Sequence, residues 1–197
     1  MNVIAVAVIA ALAVAQGPCP REQGVFMSEA SARVQANDMA GALDLLRKMG
    51  ASGCVDAVIG MTYVQGLVAA RAAYTAGGSD ASLVPVRRAI DALEQIAQGE
   101  PGPAEIARLL LHAAAAAAQS ERDEMMLYLE HAEQMDGLLR GAGQPAAPLL
   151  TAAEVSGDLW LQVHRYDDAR RAFMKAAGQV GMTPRVKAGL ARVDAAR

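Results

Sequence analysis

From residue 26 to the C-terminus, apolar residues recur at three- and four-residue steps, and each such run is closed by glycine, proline or a capping side chain. In the segment 84 to 98, for example, Val86, Ile90, Leu93, Ile96 and Ala97 alternate at helical spacing with Arg87, Arg88, Asp91 and Glu94. One face of each helix is thereby committed to a core and the other to solvent. The breaks fall at 51–53, 76–80, 99–103, 140–145 and 178–184. Between them the spacing predicts helices over 26–36, 38–49, 54–75, 83–98, 103–119, 121–138, 147–163, 166–178 and 184–195. No stretch keeps a two-residue alternation, so no sheet is expected. Composition agrees, because 53% of the residues are hydrophobic but only 4% are aromatic, and the apolar load falls on alanine, leucine, methionine and valine. The reading is all-α. A chain of 197 residues buries enough surface to hold one core without metal or multiple disulfides. Most of the ten methionines read as gap fillers in a core short of aromatics.

The N-terminus follows a different rule. Val3 to Ala15 is an unbroken apolar run ending Ala13-Val14-Ala15, and the first twenty residues carry no charged side chain. This resembles a secretory signal peptide, with small residues where a signal peptidase reads, although Met1-Asn2 offers no lysine or arginine. The resemblance implies a cut after Ala15 and a periplasmic or secreted protein. It divides the chain into a signal peptide (1–15), a tail (16–25) and a single helical domain (26–197). The alternative is an N-terminal buried helix. A permanent membrane span needs about 20 apolar residues, more than the run supplies. The segment before Cys19 does not resemble a lipoprotein signal. In an exported protein Cys19 and Cys54 would form a disulfide tying the tail to the body, the alternative being two free thiols.

Helix pairs with short connections form either a bundle or a stacked solenoid, and internal likeness separates the two. The segments starting at Asn37, Glu121 and Arg165 each open with a polar turn, followed by a small or apolar residue and a larger one four positions later. Over 152–184 the pattern resembles a tetratricopeptide repeat, on Gly157, Trp160, Tyr166, Ala169, Phe173 and Ala176. Ala153 and Ser156 stand where that family usually carries tryptophan and leucine. The spacing also drifts, with Ala42, Ala89, Met125 and Ala169 separated by 47, 36 and 44 residues. The resemblance implies four degenerate antiparallel helix pairs, stacked as a solenoid and capped by a last helix. It makes Gly157, Ala169 and Ala176 points of close helix approach, with Trp160 and Phe173 filling the core.

No nucleotide-binding glycine loop, paired-histidine zinc helix or nucleophile elbow is present. His112, His131 and His164 fall in separate helices, His112 reading as a packed residue and the others as solvated. Asp167-Asp168 opens a helix, where the dipole favours acids. The expectation is therefore a non-enzyme without cofactor or metal. A net charge of −3 argues against a nucleic-acid-binding surface. Charge is unevenly placed: residues 99–139 hold eight acids against Arg108 and Arg122, whereas from 160 onward eight basic residues face only Asp167, Asp168 and Asp194.

What remains is binding. Helical-repeat solenoids hold peptide segments on a concave surface built by first helices. The family register assigns that surface to Glu154, Asp158, Leu161 and Gln162 in the last repeat and to Leu110, Ala114, Ala117 and Ala118 in the one before. The expected partner is a protein or peptide, apolar or weakly basic, met in the bacterial cell envelope. The alternative is a soluble helical carrier of a small apolar ligand in an alanine- and methionine-lined cavity.

Overall fold

The computed structural model describes residues 23–51, 53–144 and 146–196. Among these the regular structure is entirely helical: α1 (Gln23–Gln35), α2 (Met39–Gly50), α3 (Val55–Thr75), α4 (Asp80–Ala97), α5 (Pro103–Gln119), α6 (Arg122–Gly141), α7 (Ala152–Gln162), α8 (Tyr166–Val180) and α9 (Pro184–Ala195).

The helix starts follow local chemistry. Asp38 accepts the backbone N–H of Gly41, Ser79 that of Ser82 and Thr183 that of Val186. Each satisfies a donor that the first helical turn leaves unpaired. Pro103 and Pro184 occupy first-turn positions, where a missing N–H costs nothing. The start of α4 lies three residues before the expected one because Ser79 caps there, and Pro85 is accommodated within the helix.

The packing is that of stacked antiparallel pairs. Helices α1·α2, α3·α4, α5·α6 and α7·α8 form the pairs, and each second helix also touches the first helix of the next pair. First helices form their own layer, with α3 on α5, α5 on α7 and α7 on the terminal α9. Helix α5 is thus the hub, meeting α3, α4, α6 and α7. Its alanines explain how four neighbours fit: Ala113, Ala114, Ala116, Ala117 and Ala118 are all buried, and side chains this small let the backbones close in. At Gly78, where φ is +67°, an added Cβ would collide with the Ala118 carbonyl, so the turn after α3 rests on the end of α5.

In the last pair the Phe173 ring is fully buried, wedged against two glycines. A Cβ at Gly157 would lie 2.6 Å from that ring, and one at Gly189 on α9 would also collide with it. Ala169 and Val193 complete this small core, with Trp160 and Tyr166 half-buried beside it; Ala176 joins Ala153 and Val186 in a second one.

One expected helix is cut short. Residues 147–151 do not continue α7 toward its N-terminus; they form an irregular strap. Pro148 disfavours helical geometry at Ala147, and Leu149 has φ of 64°, a left-handed conformation that interrupts any helix. The strap is pinned by Asp136, a fully buried carboxylate on α6, which accepts the N–H groups of Ala147 (2.9 Å) and Ala152 (3.1 Å). Ser31 Oγ on α1 donates to the Leu149 carbonyl at 2.8 Å. Most of the described methionines pack on the core, Met49 and Met125 buried and Met27, Met39, Met61 and Met135 partly buried against it, whereas Met126, Met174 and Met182 are exposed.

Candidate functional site

The surface assigned to ligand by the repeat register is closed. Leu110, Ala114, Ala117 and Ala118 are 0–5% exposed, and they pack inside the core around α5 instead of flooring a groove. Asp158, Leu161 and Gln162 are half-buried. At one end of this layer the Tyr74 hydroxyl donates to the backbone carbonyl of Gln162 at 2.8 Å, bridging the two helices that flank α5. Periodicity marks α5 as apolar, but it does not say whether that apolar face borders solvent or another helix.

Glu154 is the clearest correction. Its side chain, placed by the register on a solvent-facing rim, is 0% exposed. With Thr151 it forms a capping box: Thr151 Oγ1 accepts the Glu154 N–H, and Glu154 Oε2 accepts the Thr151 N–H at 2.9 Å. The same carboxylate accepts from Gln35 Nε2 at 2.8 Å and from Thr183 Oγ1 at 3.3 Å. Asp158 is bridged by Arg185 and by Arg192, and Arg185 also donates to the Val34 carbonyl at 3.1 Å. The two acids therefore tie the end of α1 to α7 and α9, far along the chain.

That closure leaves a cleft of about 600 Å³ beside it. Its walls come from α1 (Met27, Ser31, Ala32, Gln35), the strap (Ala147, Leu149, Leu150), the start of α7 (Thr151, Glu154) and the α8–α9 turn (Val180, Thr183, Pro184), with Arg140 from α6. Ala32, Val180 and Pro184 are exposed, so the cleft opens to solvent, while Leu150, Thr151 and Glu154 form a buried floor. Apolar walls with a few converging polar groups are the usual make-up of a binding site.

A second, smaller cleft of about 330 Å³ lies among α4, α5 and α6, near His112. The His112 ring stacks on Tyr128 with centroids 4.7 Å apart, and its Nε2 lies 3.2 Å from Arg108 Nη1. Arginine only donates, so Nε2 must accept and the ring is neutral with its proton on Nδ1. Burial, and then the Arg108 charge, hold the His112 pKa below its ordinary value. Arg108 makes two 2.7 Å hydrogen bonds to Glu105, lowering that carboxyl's pKa, while the neighbouring Glu124 carboxyl raises that of Glu121. His131 and His164 are exposed. The Tyr63 hydroxyl is buried with no hydrogen-bond partner among the described residues, and burial pushes its pKa far upward.

The charge asymmetry is largely offset on the surface. Arg165 and Arg171 pair with Asp168, Arg170 with Asp194, and Lys175 reaches across to Glu133 of the acidic segment. Cys54 is buried at the N-cap of α3. Cys19, the expected cleavage after Ala15 and the basic residue Arg197 lie outside the described residues. Among the described residues no cluster of histidine, cysteine and acids could hold a metal ion, and no helix is long and apolar enough to cross a membrane.

Gln35, Asp136 and Leu149 are cleft-building residues that periodicity does not reveal. The Thr151-x-x-Glu154 signature, however, is a local one that marks both the true start of α7 and the inward duty of Glu154. In comparisons with known proteins, no protein-family model, curated protein or solved structure matches the chain.

Proposed function

We propose that the chain is an exported, non-catalytic helical-repeat protein of the bacterial cell envelope that holds a peptide segment of another protein. The segment sits in the cleft between α1, the 147–151 strap and the α8–α9 turn. The reading is carried by the cleft itself: about 600 Å³, apolar-walled, open along one side and floored by a buried carboxylate. The tetratricopeptide-like pattern over 152–184 supports a binding role, with the site displaced from the first-helix surface because that surface is used as core.

Panning a displayed peptide library against the full chain tests this. Enriched peptides should compete with one another and lose binding to Ala32→Trp, which plugs the cleft from its exposed rim. No enrichment, or enrichment indifferent to that substitution, contradicts the proposal. The volume also lies within the range that holds a small molecule, which favours an apolar-ligand carrier as the second reading. An apolar dye that binds the cleft, with no peptide able to displace it, would select the carrier.

A further inference from the structure

Two acceptors in the wall of the cleft lack what their surroundings should supply. The first is Glu154. Its hydrogen bonds come from Gln35 Nε2, Thr151 N, Thr151 Oγ1 and Thr183 Oγ1, all of them uncharged donors. Asp136, likewise buried, has the Arg140 guanidinium at 3.0 Å. Among the described residues no lysine, arginine or histidine lies within ion-pairing distance of Glu154; Arg185 is committed to Asp158 and the Val34 carbonyl. Carboxylates removed from water are ordinarily paired with a cation. The second is Gln35 Oε1, which is buried and accepts no hydrogen bond among the described residues. Turning the amide over gives no relief, because it would set that oxygen against the carboxylate of Glu154.

Both residues line the cleft, whose surface is mainly apolar; Arg140, also in its lining, is paired with Asp136, while Glu154 has no such partner among the described residues. A neutral donor would satisfy Gln35 and leave Glu154, whose charge is offset only by its hydrogen bonds and the α7 N-terminus, without a cation; an anion would be repelled. An ammonium or guanidinium brings both a charge and several donors. We propose that the cleft recognises a basic side chain, lysine or arginine, carried on an otherwise apolar peptide segment, with Glu154 and Gln35 as its receptors and the Gln35 side chain turning aside to admit it. This deepens the peptide-binding reading above and rests on it.

The test uses three blocked peptides, acetyl-Ala-Leu-X-Leu-Ala-amide, in which X is lysine, norleucine or glutamate, titrated calorimetrically into the full chain. Charge-assisted hydrogen bonds in a desolvated site predict that the lysine peptide binds at least about tenfold tighter than the norleucine peptide, with glutamate weakest. Glu154→Gln keeps the capping box, since glutamine serves at that position. It should cut the lysine advantage to less than about twofold while norleucine binding persists. Ala32→Trp should abolish all three. Equal binding of lysine and norleucine by the unmodified chain overturns the cation inference and leaves peptide binding standing. No binding by any of the three overturns both. Lysine-peptide binding that survives Ala32→Trp places the site elsewhere and also overturns the inference. The comparison of lysine with norleucine needs no variant, so it holds whether or not Glu154→Gln folds.

Discussion

Replacing Asp136 by alanine should destabilise the protein far more than a change at an ordinary helix position. The carboxylate is fully buried and serves three donors: Arg140 Nε at 3.0 Å, Ala147 N at 2.9 Å and Ala152 N at 3.1 Å. Alanine strands two backbone N–H groups, one of them buried at the start of α7, and each such loss costs about 1–3 kcal/mol. Arg140 has 35% side-chain exposure and can turn to water, so its share is small. The sum is about 2–6 kcal/mol for Asp136→Ala. Asp136→Asn keeps one acceptor oxygen but sets an NH2 group against a backbone donor, and should cost roughly 1–3 kcal/mol. Urea unfolding followed by circular dichroism measures both, and amide exchange at Ala147 and Ala152 should accelerate in the alanine variant. A loss below about 1 kcal/mol for Asp136→Ala, with those amides still protected, would show that the carboxylate does not hold the strap.

Phe173→Ala should cost about 3–5 kcal/mol, because the emptied space between Gly157 and Gly189 is lined by backbone that has little room to collapse; urea unfolding is again the check. His112 should make stability depend on pH. Its folded-state pKa lies below the ordinary 6.5, so its contribution is complete above about pH 6.5 and is lost as pH falls through the lowered value. Among the groups around it, the Glu124, Glu94 and Glu105 charges limit the shift and Arg108 deepens it. Comparing unfolding midpoints at pH 7.5 and pH 5, His112→Phe should lose less stability than the parent on acidification; identical losses would refute the assignment. In protein expressed in a bacterial host, N-terminal sequencing should begin at or near Gln16 and thiol titration should find no free cysteine. An intact Met1, or two reactive thiols, would contradict export and the Cys19–Cys54 bridge respectively.

The parts of this fold legible in the sequence are those decided by neighbours within a turn or two. Thr183 announces the start of α9 because a cap needs only the residue three positions on; Ser79 carries the same signal for α4, but the apolar spacing put the expected start three residues beyond it. Gly157 and Phe173 could be paired because the repeat spacing brings successive helices together. What could not be read depends on contacts between distant segments. Glu154 meets Gln35 across 119 residues, and Ser31 meets Leu149 across 118. No periodicity encodes such a pairing. The left-handed Leu149 is invisible for the same reason, since leucine takes that conformation only where its surroundings hold it there. The alanines of α5 misled for another reason: a small apolar residue suits an open groove floor and a crowded hub equally well.

Hydrogen exchange by mass spectrometry, on the full chain with and without a peptide that it binds, tests the location of the site most directly. Bound peptide should protect α1 around Met27 to Gln35, the strap at 147–151 and the α8–α9 turn at 180–184, and leave 110–118 unchanged. Protection centred on 110–118 and 158–162, with the strap and α1 unaffected, would return the site to the first-helix surface and contradict the account.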